Sequence, residues 1–301
     1  MTEKLTAREL VDQLTELLTL RAEGENCLVA NPTPAGAATG NGRIFGGQVI
    51  AQALAAAEAT VAPDRPAHSL HAYFLRMGSD DHPIRYDITR DFDGGSFANR
   101  RVTAMQEGRL LLSLSASFHR REDGFRHQNA MPDVPGPEVL TSDVDLRRMS
   151  LDRFPVAARA GLARMRPIEL RAVEQVPWFD PQPVPPVMHT WLRAVAPVGD
   201  DPRLHRAMLA FASDLVLMRT AILPHALSWF SGQMIDASLD HAMWFHDDFR
   251  IDEWLLFQTE SPWAGRGRGL ITGRFFRRDG TLVASVSQEG MFRLLNPPTP
   301  Q

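Results

Sequence analysis

The sequence predicts an α+β fold made of two copies of one unit, each an antiparallel sheet wrapped around an apolar helix. Three observations point there. Two stretches are apolar on nearly every side at helical spacing: VIAQALAAAEATV, which follows Gly46-Gly47-Gln48, and MLAFASDLVLMRTAIL, which starts at Met208. The first is followed by four short alternating runs separated by turn signals, the pattern of an antiparallel meander. Motifs of the second half then repeat those of the first at a nearly constant offset. With 301 residues, 44% apolar and 23% charged, the chain can bury a large core, which excludes a disordered tail.

Thr6 followed by Glu9 forms a capping-box pattern, and Leu10, Val11, Leu14, Leu17 and Leu18 recur at helical spacing, so the chain opens with an amphipathic helix. Prolines and glycines between Asn31 and Gly42 interrupt it before the glycine-led buried helix. The meander follows as HSLHAYFLRM, PIRYDITRDF, SFANRRVTAM and RLLLSLSASFHR, with turns at Asp93-Gly94-Gly95 and Glu107-Gly108. In the last run Leu110, Leu112 and Leu114 share one face and Leu111, Ser113 and Ser115 the other, as in a half-covered strand. From about Arg121 to His189 prolines crowd the chain, with one helix expected over Val144 to Met165; a connection this long is expected to wrap over the folded units. Ser69-Leu70-His71-Ala72 is echoed by Ser238-Leu239-Asp240-His241-Ala242, and Gly108-Arg109-Leu110 by Gly280-Thr281-Leu282, at offsets of 169 and 172 residues. The expected division is a first repeat over 1–125 with its leading helix, a proline-rich linker over 126–188 and a second repeat over 189–301. A sheet around one apolar helix is the hotdog arrangement, and two in tandem with merged sheets make a double hotdog.

Composition removes several classes of function. A net charge of −4 without long like-charge runs argues against nucleic-acid binding. Cys27 is the single cysteine, so no intrachain disulfide or four-thiolate zinc site can form, and a reducing, cytoplasmic setting is expected. The first twenty residues mix charges into every apolar stretch, unlike a signal peptide, and no run approaches the roughly 20 apolar residues of a membrane span. His241 and His246 fall on opposite faces by strand alternation, so no metal is expected. There is neither a G-x-S-x-G elbow nor a G-x-G-x-x-G dinucleotide loop, and no cofactor is implied. Gly265 to Gly269 reads as a hairpin turn.

Three polar residues stand out against apolar surroundings. Period two places Leu282, Ala284, Val286 and Gln288 on one strand face, so an amide completes an apolar row; it is either a structurally satisfied glutamine or a functional one. Asp214 is the lone carboxylate among Met208, Leu209, Phe211, Leu215, Val216, Leu217 and Met218. Desolvation would turn it into a general base, whereas a helix N-cap at Ser213-Asp214 would make it structural. Ser238 precedes an aromatic-rich strand, where a hydroxyl serves the local backbone or a site.

FGGQVIAQALAAA, HSLHAYFLR, DGGSFANRRVTAMQEG, SLDHAMWFH, ESPWAG and ASVSQEG, in that order from about Arg43 to Arg293, resemble the acyl-CoA thioesterase II family, the bacterial TesB type and its peroxisomal relatives. The resemblance implies a double hotdog that hydrolyses fatty acyl-CoA to free acid and CoA, with an Asp, a Ser or Thr, and a Gln holding the attacking water. Matched motif by motif, these are Asp214, Ser238 and Gln288, with Asp214 as the general base. Gly46 and Gly47 would let a backbone approach the substrate, with helix-terminal N–H groups as oxyanion donors; the sequence leaves open which helix serves. Acyl-CoA is the implied partner, with no stable membrane insertion, and exposed sheet edges suggest a homo-oligomer. Pro300-Gln301 is no peroxisomal tripeptide. The alternatives are an enoyl-CoA hydratase-like enzyme, which needs an Asp and His pair at its groove, and a non-catalytic acyl-CoA-binding protein.

Overall fold

Thr6 caps the first helix, α1 (Ala7–Leu18): its hydroxyl accepts the Glu9 N–H at 3.2 Å, and the Glu9 carboxylate accepts the Thr6 N–H at 2.7 Å. A computed structural model describes residues 5–33, 42–230 and 232–295. The glycine- and proline-rich residues 34–41 and the final Pro300-Gln301 lie outside these ranges. The buried Leu10, Val11, Leu14, Leu17 and Leu18 face is the one that the spacing predicts.

The first half continues through β1 (Arg21–Gly24), β2 (Cys27–Ala30), α2 (Gly46–Glu58), β3 (Ala67–Phe74), β4 (Ile84–Asp93), β5 (Phe97–Gln106) and β6 (Arg109–His119). The middle of the chain forms α3 (Asp143–Met149), α4 (Val156–Leu162) and β7 (Ile168–Ala172). Then come β8 (Val187–Ala194), α5 (Pro202–Ser213), α6 (Arg219–Ile222), β9 (Met234–Ser238), β10 (Asp240–Phe245), β11 (Leu255–Gly265), β12 (Arg268–Arg277) and β13 (Leu282–Leu294). All strands join one sheet in the order β1-β2-β4-β5-β6-β3-β10-β13-β12-β11-β8-β7, with β9 also paired to β13. Read from its own edge, the second half (β7-β8-β11-β12-β13-β10) repeats the first (β1-β2-β4-β5-β6-β3). The halves meet where β3 and β10 pair antiparallel, Tyr73 opposite Asp240 and Ser69 opposite Trp244. This is a double hotdog with one continuous sheet.

One hairpin in each half turns by the same chemistry. Glu107-Gly108 and Arg266-Gly267 both hold positive φ at both central residues (48° and 74°; 52° and 73°), the two-residue turn whose twist matches its strands. Helices α2 and α5 lie side by side against the sheet, and Gly47 permits their contact: a Cβ there would sit 2.5 Å from the Phe211 carbonyl oxygen. Ile50 and Leu54 of α2, Met208 and Leu209 of α5, and Phe118, Phe257 and Phe275 of the sheet belong to one buried cluster spanning both halves.

Four local expectations change. Only β4, β5 and β6 form a meander; β3, the HSLHAYFLRM run, crosses over to pair with β6 and β10 instead of β4. Val144 to Met165 is two short helices joined by a 3-10 turn, because Pro155 lacks an N–H and disfavours helical backbone before it. The apolar stretch from Met208 is also broken: α5 starts at its Asp201 cap and Pro202, then stops at Ser213, with only the four-residue α6 beyond. Asp214 is therefore the C-cap of α5, not an N-cap. Finally, a register shift between Phe275 and Phe276 changes strand parity, so Val283 is buried and Leu282 leaves the Gln288 row. The proline-rich connection does wrap: Met131, Val134 and Leu140 pack on Trp191, Leu256 and Phe276, while Pro135 accepts the Trp191 indole N–H at 2.8 Å.

Candidate active site

Asp214, Ser238 and Gln288, separated by up to 74 residues in sequence, meet around one nitrogen. Gln288 Nε2 donates to Asp214 Oδ1 at 3.2 Å and to Ser238 Oγ at 2.8 Å. Each arrives on a different element. Asp214 ends α5, Ser238 ends β9, and Gln288 lies within β13 where the neighbouring strand changes from β10 to β9. Gln288 is fully buried, while Asp214 and Ser238 retain some exposure. The amide thus spends both hydrogens holding two groups that solvent and substrate can reach.

Burial around the Asp214 carboxyl pushes its pKa up to about 6, against the hydrogen bonds from Gln288 and from the Gly47 backbone N–H. Its position at a helix C-terminus, the negative end of the dipole, works in the same direction as burial. The N-terminus of α2 faces it: a Cβ on Gly46 would lie 2.7 Å from Asp214 Oδ2. The N-cap residue Phe45 contributes no side-chain hydrogen bond to the first-turn N–H groups. Of the two helices, α2 therefore brings its start to the cluster, where the Gly47 N–H is directed to Asp214.

Behind Gln288 lie two residues that the sequence reading missed. His241 Nδ1 is 2.5 Å from Gln288 Oε1, and His241 Nε2 is 3.0 Å from Ser213 Oγ; all three residues are fully buried. Burial lowers the His241 pKa to about 4, against the hydrogen bond that the ring donates to Gln288 Oε1, so the ring is neutral. Strand parity already separated His241 from His246, whose Nε2 pairs with Ser285 Oγ at 2.9 Å on a more open face. The overlooked signal was a histidine and a serine in otherwise apolar rows next to the site.

The equivalent place in the first half carries different chemistry. Aligning the starts of α2 and α5 puts Glu58 at the position of Asp214, and the Gly108 to Gly280 alignment puts Ala116 at that of Gln288. Glu58 is paired with Arg206 at 2.7 Å in a buried contact. That end has an alanine in place of the amide and an arginine on the carboxylate, although burial still raises the Glu58 pKa to about 7. A cavity of about 560 Å³ opens beside it, lined by Ala67, His68, His119, Arg121 and Arg206 among others.

Two family models match the chain, "acyl-CoA thioesterase" over residues 165–291 and "acyl-CoA thioesterase N-terminal domain" over residues 33–119. The chain is 40% identical over 260 residues to human acyl-coenzyme A thioesterase 8, covering 84% of this chain and 81% of that protein. It is 36% identical over 251 residues to acyl-CoA thioesterase 2 of Haemophilus influenzae, covering 83% and 88%. Among solved structures it is similar to the acyl-CoA thioesterase II TesB2 of Mycobacterium marinum, with 37% identity, a TM-score of 0.75, and coverage of 93% of this chain and 98% of that one. With a double-hotdog sheet, a carboxylate, hydroxyl and amide gathered at one helix end, and identity of this extent along both halves, the chain belongs to the acyl-CoA thioesterase II family.

Proposed function

We propose that this protein hydrolyses fatty acyl-CoA to free acid and CoA by direct attack of one water, with Asp214 as general base and Ser238 and Gln288 completing the water site. The observation that carries this reading is the sharing of Gln288 Nε2 between Asp214 and Ser238. A water between those two oxygens donates one hydrogen to the carboxylate and one to the hydroxyl, leaving a lone pair for the thioester carbon. Asp214 takes the proton as the C–O bond forms, and collapse of the tetrahedral adduct expels the CoA thiolate. A carboxyl with a pKa near 6 is ionised at neutral pH, yet more basic than an exposed aspartate. The negative charge developing on the carbonyl oxygen is met by the N–H groups at the start of α2, around Gly46.

The hydratase alternative needs a histidine facing substrate beside the aspartate. His241, the histidine bonded to this cluster, is buried behind Gln288 with both ring nitrogens engaged, which favours hydrolysis. Thiol release from palmitoyl-CoA tests the reading, using wild type and Asp214→Asn with folding checked by circular dichroism. Wild-type release and a near-silent variant are expected; a variant near the wild-type rate removes the base assignment. Saturable binding without thiol release would instead indicate a binding protein, and an acyl adduct on Ser238 by mass spectrometry would indicate nucleophilic catalysis.

The same reading includes a homo-oligomer formed through the edge strands β1 and β7, tested by light scattering, and a reducing cytoplasmic setting that suits a chain with one cysteine. Among the described residues no helix is long and apolar enough to cross a membrane.

A further inference from the structure

We infer that His241, backed by Ser213, is a positioning residue that fixes which end of the Gln288 amide faces the water site. The inference rests on the proposed hydrolytic reading. A primary amide fits almost equally well in two orientations half a turn apart, so its surroundings must choose between them. With Nε2 toward Asp214 and Ser238, both hydrogens find acceptors at 3.2 and 2.8 Å. In the opposite orientation the amide oxygen would face the ionised Asp214 carboxylate, acceptor against acceptor. That discrimination fades during the reaction, because Asp214 becomes neutral when it takes the water's proton. A second lock at the other end of the amide is then what keeps the site in register for the next cycle.

His241 supplies it. Gln288 Oε1 can only accept, so the 2.5 Å contact requires the hydrogen of the neutral imidazole to sit on Nδ1. Nε2 is then an acceptor and needs a donor, which the structure places 3.0 Å away as the Ser213 hydroxyl. That hydroxyl also lies 2.8 Å from the Ala210 carbonyl oxygen, so its single hydrogen is shared between the two. If Nε2 carried the hydrogen instead, Ser213 would donate to Ala210 alone, and the bare Nδ1 would pull the Gln288 NH2 group toward itself. The ring tautomer and the amide orientation are therefore one coupled choice, made in a space closed to solvent. His241 touches neither the water nor the substrate, and acts through Gln288.

The tautomer can be read directly by long-range proton–nitrogen correlation on histidine-labelled protein at pH 8. The expected result is hydrogen on Nδ1 and a bare Nε2; hydrogen on Nε2 overturns the inference. Kinetics give the second readout. His241→Leu removes the donor and is expected to lower kcat about 30-fold with KM changed less than about twofold, whereas His241→Asn keeps an N–H near Nδ1 and recovers kcat to within about fivefold of wild type. Equal losses in both variants would mean that the ring only fills space, and a leucine variant within about threefold of wild type would mean that Gln288 needs no lock; either result overturns the inference. If His241→Leu does not fold, Ser213→Ala decides: a mixed tautomer and a kcat lowered about threefold to tenfold support the relay, and an unchanged tautomer and rate refute it. Failure of the hydrolytic reading looks different, because Asp214→Asn would then stay active while the tautomer remained as expected.

Discussion

Asp214 sits where two helix ends meet, and its behaviour follows from that position. The negative end of α5 and the apolar surroundings disfavour its charge, while one N–H from the start of α2 and one from Gln288 support it. For catalysis, kcat/KM is expected to be level above about pH 6 and to fall about tenfold per pH unit below it, as the base becomes protonated. The stability effect has the opposite sign. A carboxyl whose pKa is raised from 3.8 to about 6 on folding is protonated more readily in the native state, so stability declines as pH rises through that window. Asp214→Asn should therefore be more stable than wild type at pH 8, by about 1–2 kcal/mol, with the gain vanishing near pH 4 in denaturant titrations. The gain stays below the full linkage value because the residue keeps some exposure and an amide offers one acceptor to two donors. Gly46→Ala probes the same meeting point. Its Cβ would fall 2.7 Å from Asp214 Oδ2 and 3.2 Å from the Phe74 ring, so kcat should drop at least about tenfold, measured by thiol release.

At the scale of elements, the internal repeat turns one structural plan to two purposes. Helices α2 and α5 each end in a carboxylate beside the start of the other, Glu58 near Arg206 and Asp214 near Gly47. An arginine faces the first carboxylate, whereas the second is left to backbone and amide donors. Arg206→Ala should leave Glu58 buried without its cation and cost about 3 kcal/mol in urea unfolding, with kcat/KM within about twofold of wild type. A comparable loss of activity would place this end of the helix pair in the reaction. Much at this scale was legible from residue pattern: the Thr6–Glu9 cap, the glycine-led helix, the four strands that follow it and the turn at Glu107-Gly108, though not the pairing of β3 with β6, which needs a crossover that no local pattern shows. The helices at 143–162 and the end of α5 were less so, because an apolar run does not show where the backbone leaves helical geometry. Pro155 breaks the first, and the second ends at Asp214, whose side chain turns toward Gln288 and Gly47.

For the whole molecule, the shared sheet and shared core make the halves interdependent. The β3–β10 seam and the contact of α2 with α5 join them, and the linker is fastened to the outer face at Trp191. Calorimetry should accordingly show a single unfolding transition; two resolved transitions would mean that each repeat folds on its own. The amino-acid sequence alone determined the repeat, the alternation that makes the strands, the apolar helices and the three polar residues set in apolar rows, since periodicity and motif order are local properties of the chain. Which helix end meets Asp214, that Gln288 Nε2 joins Asp214 to Ser238, and that His241 and Ser213 stand behind that amide were decided only by tertiary structure. These are contacts between elements tens of residues apart, set by strand register and helix packing, and no local pattern encodes the distance between them.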